Sequence, residues 1–401
     1  MALDSTFDSS DVFRQYIERN AAYALSLLKA SSSQVLSRKK LTVILQALQY
    51  TLSLESLWPA SRELLLALAP QMELLDLRVL WRPYLQEGLR QSLKLGDQEA
   101  ELSLRYYLGN FLRESTDYDE AIEQYQRGMT LAAAQGNVDM EVRLLNRCAF
   151  ALRRKGKLKK AERFAKRALA LAVSDPIEQG YSNLVLGSIR YDQRQWDECL
   201  VFSYRARDIW LAHDARRQLA WAYTNLGVAL WREGNLEEAK KNLEQGILYF
   251  DELGDIVHQA SAKLNLGAVL LEQNEPQKAL FFLAEAEKIF HTIQDKLRMA
   301  MVANNLAHVY QAMENWEDAI GAFQQSISLW QEMGEMAKAL NVLHSLISLL
   351  IDLSQKNSAQ ILLQEANKEL AMIEGHPDYE RLAAEFKLLE MELSPAADQP
   401  M

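Results

Sequence analysis

Residues 225–239 read NLGVALWREGNLEEA. The phrase returns forty residues later as NLGAVLLEQNEPQKA (265–279) and again as NLAHVYQAMENWEDA (305–319). Its closing alanine belongs to a longer series: Ala121, Ala161, Cys199, Ala239, Ala279, Ala319 and Ala359, spaced by 40 residues with one interval of 38. Seven residues after each anchor stands a small residue: Gly128, Ala168, Ala206, Gly246, Ala286, Ser326 and Ala366. Twelve before stand Gly109, Ala149, Gly187, Gly227, Gly267, Ala307 and, as the exception, Ile347. The segments on both sides of each anchor are apolar at helical spacing. Short turns part them, such as Gly156 and Lys157, Gly234 and Asn235, Asn274 and Glu275, or Glu314 and Asn315. Two helices joined this tightly need small residues where their backbones cross. The second helix ends at Gly96, Gly136, Gly254 or Gly334, which suits a left-handed C-cap. One such hairpin cannot bury its own apolar face, so neighbours stack and the chain becomes a solenoid.

A Leu-Gly or Leu-Ala pair, an alanine twelve residues on and a small residue seven further resembles the tetratricopeptide repeat. That family's usual period is about 34 residues, and the longer one here implies longer helices, as in arrays resembling kinesin light chain and the bacterial peptide-sensing regulators. The resemblance covers residues 100–379 and implies an all-α, right-handed α-solenoid of about seven to eight helix-turn-helix repeats with helical caps. Residues 61–99 fit as a degenerate unit: Leu68 and Ala69, Trp81 in the anchor place, then Leu85, Gly88 and Gly96. Pro70 and Pro83 suggest irregular helices there. Residues 1–60 read as an N-terminal helical cap with helices near 11–29 and 38–52. Residues 380–393 carry Leu382, Phe386, Leu389 and Leu393 on one face, which suits a C-terminal capping helix. Residues 394–401 read as a disordered tail.

The 401-residue chain has 44 Lys and Arg against 54 Asp and Glu, a net charge of −10. The charge is unevenly spread: residues 140–178 hold 11 basic and 4 acidic residues, residues 233–401 hold 12 basic and 27 acidic. Nucleic acid is not the expected partner at that balance. Cys148 and Cys199 fall on packing positions of the repeat and read as reduced core thiols. No apolar run approaches the ~18 residues of a membrane span. The first residues lack a secretory pattern, so a cytoplasmic protein is expected. There is no Walker A pattern, no HExxH, no G-x-S-x-G and no Cys/His ligand cluster. The sequence therefore predicts no enzyme, no metal and no cofactor. His308 and His344, on first helices of adjacent repeats, suit polar groove lining, with a metal pair or a titrating pair as the alternative.

In the tetratricopeptide family the first helix of each hairpin lines the concave groove. The resemblance assigns four positions per first helix to that lining, spaced as one helical stripe. One hairpin then presents Arg143, Arg147, Phe150 and Arg154, with Asn146 beside them. The next contributes Tyr181; the next Trp221, Asn225 and Arg232; then Asn265; then Met301, Asn305 and His308. Three guanidinium groups on one face favour a carboxylate or phosphate between them. A solvated basic helix balanced by acidic neighbours is the competing reading. Asn225, Asn265 and Asn305 fall in register. Each amide offers a donor and an acceptor to the backbone of an extended peptide, unless it bonds to a neighbouring repeat instead. The function expected is a non-enzymatic protein–protein interaction scaffold. It would hold a peptide or partner segment, acidic or carboxylate-bearing at the arginine section. The alternative is a ligand- or peptide-sensing module that controls a separate effector such as a signalling ATPase, kinase or transcription factor.

Overall fold

The structure is a computed structural model; it describes residues 9–31, 36–75 and 78–393. Nineteen α-helices and no strands occur among the described residues, and two compact units divide the chain, 1–214 and 215–401. In the first unit α1 (Ser9–Lys29), α2 (Arg38–Leu52), α3 (Trp58–Leu75) and α4 (Arg78–Leu95) precede three hairpins. These are α5 (Gln98–Glu114) with α6 (Tyr118–Ala134), α7 (Val138–Arg154) with α8 (Leu158–Leu171), and α9 (Pro176–Asp192) with α10 (Trp196–Ala212). The second unit holds α11 (Arg216–Glu233) with α12 (Leu236–Glu252), α13 (Ile256–Glu272) with α14 (Pro276–Ile293), α15 (Lys296–Ala312) with α16 (Trp316–Glu332), and α17 (Met336–Asp352) with α18 (Lys356–Ala371). It ends in α19 (Tyr379–Leu393). Within each unit every helix packs mainly on its neighbours in sequence, with lighter contact between successive first helices such as α7 and α9 or α13 and α15.

One turn design recurs at the helix junctions. A residue with left-handed backbone ends the helix: Gly at 96, 136, 156, 234, 254 and 334, and Thr116, Arg194, Asn274, Gln294, Glu314 or Ser354 elsewhere. The amide after it reaches back five residues, as from Asp255 to Phe250 (2.9 Å) and from Asn315 to Tyr310 (2.9 Å). This satisfies a carbonyl that the helix end leaves open. The same residue often caps the next helix. Asp97, Asn137, Asp255 and Asp295 each accept a bond from the amide three residues on.

All seven anchor residues are buried. Gly267 shows why its position must be small: a Cβ there would sit 2.5 Å from Leu283 Cγ of the partner helix. Neither proline breaks its helix: α3 runs through Pro70 and α4 through Pro83. Each proline removes one amide donor, while fully buried Leu64, Leu65, Leu68 and Leu85 keep the helices packed. Leu382, Phe386 and Leu389 of α19 are buried and Leu388 and Met391 exposed, so this helix has one wet side. Residues 394–401 lie outside the described residues.

Candidate functional site

In the first unit, α7 brings the arginine stripe onto one face, but its charges are largely answered from within. Arg147 is nearly buried. Its guanidinium bonds both carboxylate oxygens of Glu178 at 3.2 and 3.4 Å, and lies 4.0 Å from the ring centroid of Tyr181. Burial disfavours the charged guanidinium most, but the Glu178 carboxylate together with Tyr106, Tyr181 and Tyr125 outweighs it and holds the Arg147 pKa up. Arg154 is exposed and donates to the Tyr118 hydroxyl at 3.1 Å. Phe150 is half-buried beneath Arg113, whose guanidinium carbon is 5.2 Å from the ring centroid. Arg143 is exposed, with no ion pair among the described residues. The three arginines were expected to need an anion between them; at Arg147 that anion is Glu178, delivered by the first turn of α9.

Asn146 is a correction. It is 1 % exposed, and its amide donates to Glu178 Oε2 (2.8 Å) and to the Glu178 carbonyl (3.0 Å) while accepting from Ser182 Oγ (2.8 Å). One residue back from Arg147 is a turn of about 100° on a helix, which aims Asn146 at the α7–α9 contact rather than at a partner. Arg153 likewise closes a two-bond pair with Asp192 at 2.6 and 2.8 Å.

The second unit's first helices present a different wall. Asn225 on α11 is exposed; Asn265 on α13 and Asn305 on α15 are half-buried. None of these three amides is engaged by another residue among those described. Other helical amides in the protein do fold back: Asn183 donates to the Gln179 carbonyl and Asn341 to that of Ala337, at 2.8 and 2.7 Å. Trp221 is half-buried, edge-on to His258 of α13 at 5.6 Å between centroids, with Arg217 over its ring at 5.4 Å. His258 in turn bonds Asp255 at 2.8 Å. Burial alone would raise the Asp255 carboxyl, but His258 and Arg217 bring it below its ordinary value. Arg232 is exposed and stacks on Trp231, 4.3 Å from the ring centroid. Met301 is exposed. His308 meets Phe323 edge-on at 5.0 Å, and burial pushes its pKa down against an opposing bond from Gln311, so the ring is neutral near pH 7.

The wall continues into an open pocket of about 510 Å³. Asn304 and His308 of α15, Asn341, Val342, His344 and Ser345 of α17, and Arg381, Glu385 and Leu388 of α19 line it. Sequence reasoning placed His308 and His344 on this lining and missed the rest of it. The forty-residue steps from Met301 to Asn341 to Arg381, and from Asn305 to Ser345 to Glu385, were the available signal.

No group of three His, Cys, Asp or Glu side chains has metal-site geometry among the described residues. Both thiols are buried, and burial pushes the Cys148 pKa up to about 12. No helix among the described residues is long and apolar enough to cross a membrane.

Family models described as tetratricopeptide repeat match residues 100–172, 180–247, 218–290 and 299–333. The chain belongs to the tetratricopeptide repeat family. A search of curated proteins gives no match. Among solved structures, the tetratricopeptide chain is similar to the apo form of the quorum sensor NprR from B. thuringiensis. That likeness has a TM-score of 0.58 at 14% identity and covers 89% of this chain and 99% of the other. It is also similar to the APC/C hetero-tetramer Cut9-Hcn1 (TM-score 0.58, 17% identity, 92% of this chain and 62% of the other). A third likeness is to the signal transduction ATPase PH0952 from Pyrococcus horikoshii, with its tetratricopeptide repeat sensor (TM-score 0.55, 14% identity, 89% and 56%). At these identities the likeness is one of fold. The tetratricopeptide repeats thus form an all-α solenoid array of stacked hairpins, the kind of scaffold on which interaction surfaces are built.

Proposed function

We propose that this protein is a non-enzymatic cytoplasmic binding module that holds an extended peptide or partner segment along the first-helix wall of its second unit. The observation that carries the reading is the set of in-register amides at Asn225, Asn265 and Asn305, which have no partner among the described residues. A primary amide pairs with a peptide unit through one donor and one acceptor, whatever the side chains of that peptide. Trp221 and Met301 add apolar surface beside the row. The arginine section of the first unit contributes less than its sequence suggests, since Glu178 holds Arg147; Arg143 and Arg154 remain exposed for an acidic partner. Residues 1–60 and 380–393 serve in this reading as caps on the repeats.

The test is selection of short random peptides on the full chain, followed by Asn225→Ala, Asn265→Ala and Asn305→Ala. At about 0.5–1.5 kcal/mol for one net bond per amide, each variant should weaken capture roughly two- to tenfold with an unchanged melting temperature. Unaltered affinity in all three would sink the wall reading.

A second reading makes the same wall the input of a sensor acting on a separate effector. The likeness to the NprR quorum sensor and to the repeat sensor of PH0952 favours it. Small-angle scattering separates the two: a sensor changes its radius of gyration when the selected peptide binds, and a static scaffold does not.

A further inference from the structure

Sixteen glycines occur in the chain. Seven hold the left-handed backbone of a helix end or turn. Eight pack against a neighbouring helix, where an added Cβ would come within 3.1 Å of a side chain. Gly321 has neither reason. It is exposed inside α16, and a Cβ there meets nothing within 4 Å. Glycine weakens a helix; what it provides is room for a close approach from outside. Phe281 and Ile361 hold the same place in the hairpins before and after, two residues past the anchors Ala279 and Ala359. They are 58% and 59% exposed. Gly321 is therefore a gap in a row of large apolar side chains on the outer face of the second helices. We propose that this face binds a second copy of the chain, with Phe281 of each copy entering the gap over Gly321 of the other.

The choice of a second copy rests on self-complementarity. A knob and a gap stand in the same register on successive second helices, α14 and α16, which run in the same direction. A two-fold axis lying between these helices and along them lays α14 of each copy over α16 of the other, parallel and at equal height. Both knobs then enter both gaps at once, as an isologous contact requires. Each residue of α14 faces the residue forty further on in the second copy. The exposed charges agree with that pairing. Lys278 faces Asp318, Gln277 faces Glu317, Glu285 faces Gln325 and Lys288 faces Ser328, so no exposed charge of α14 meets a like charge at its own height. Two faces of one chain have no cause to match in this way for an unrelated partner.

The knob is held ready. The Phe281 ring lies edge-on to Phe282, 5.3 Å between centroids, so it has less rotamer freedom to lose on contact. Two helix faces a side make a small interface, at or below the ~1,200 Å² of a stable complex. The dimer is therefore weak and reversible, with a dissociation constant on the order of 10–100 μM. It is built by second helices and leaves the first-helix wall open.

Sedimentation equilibrium of the full chain tests this, from about 1 to about 500 μM and in about 0.5 M salt, where attraction between unlike charge blocks is screened. The wild type should pass from monomer to dimer over that range. Phe281→Ala and Gly321→Gln should each weaken self-association by about tenfold or more, because the axis uses the lost contact twice. Melting curves at about 1 μM, where the chain is monomeric by the estimate above, should show both variants folded, with Gly321→Gln no less stable than wild type. A mixture of the two variants is the decisive arm. Phe281→Ala keeps its gap and Gly321→Gln keeps its phenylalanine, so one of the paired contacts returns. The mixture should then associate more tightly than either variant alone, which loss of a merely structural residue would not produce. A wild type that stays monomeric throughout overturns the proposal and leaves a different protein as the occupant of this face. A dimer that withstands both substitutions forms elsewhere and overturns it too. A mixture no tighter than its components overturns the two-fold pairing of Phe281 with Gly321.

Discussion

Arg147 and Asn265 occupy the same place in their hairpins, one residue before the first-helix packing pair, yet the next hairpin treats them differently. For Arg147 it supplies Glu178, 5% exposed; for Asn265 it supplies nothing among the described residues. Removing one partner of a buried ion pair leaves the other charge stranded, at about 3–5 kcal/mol. Glu178→Gln keeps the shape and loses the charge. It should lower unfolding free energy by about 3 kcal/mol in urea titrations, whereas Asn265→Ala should leave the urea midpoint in place. His308 gives a pH signature. Burial lowers its folded pKa below 6.5, so the unfolded chain binds its proton more readily. The stability this group protects is complete above pH ~6.5 and is lost as pH falls toward the folded value. His308→Gln should flatten that part of the urea midpoint's decline between about pH 7.5 and 5, and an unchanged slope would contradict the buried-neutral assignment. The limits of sequence reading also lie at this scale. The stripe named Arg147 correctly as a first-helix face residue, but its partner is 31 residues downstream, and no spacing rule reveals which side chain a neighbouring helix turns inward.

At the scale of the helix and its hairpin the sequence was far more legible. Most turns rest on local chemistry, a left-handed residue and in several a capping side chain, and six of the seven first-helix crossings on a small residue at a fixed offset. Where the signal lapsed, so did the reading: Ile347 stands where the other repeats have Gly or Ala, and the inner stripe was not followed past α15 to Asn341, Ser345 and Arg381. Two glycines of the second unit make opposite predictions. At Gly267 an added Cβ would meet Leu283 Cγ at 2.5 Å, and overpacking of this kind costs about 1–3 kcal/mol. Gly321 lies inside α16, and a Cβ there meets nothing within 4 Å. Gly321→Ala should gain up to about 1 kcal/mol from helix propensity. Thermal melts of the two variants should therefore move in opposite directions, Gly267→Ala downward and Gly321→Ala upward.

The whole molecule carries its charge in blocks, 11 basic against 4 acidic residues over 140–178 and 12 against 27 over 233–401. The exposed side of α8 shows Lys159, Arg163, Lys166 and Arg167. At low ionic strength copies should attract one another through these unlike blocks. Light scattering should show an apparent mass that falls as salt rises past about 0.15 M, where the screening length is about 8 Å. Arg163→Glu with Lys159→Glu should remove the salt dependence; if it persists, the basic block is not its source. The shared turn design has a further consequence, for how such a chain changes length over generations. Gly254 is followed by the capping Asp255, and forty residues later the capping Asp295 begins the next hairpin. Loss of residues 255–294 would join Gly254 directly to Asp295 and recreate the same Gly-Asp junction, with its cap, at the seam. A deletion one residue longer or shorter would put another residue at the seam. Unequal recombination in whole cassettes is therefore nearly silent at the joints, and its visible product is a row shorter or longer by one asparagine.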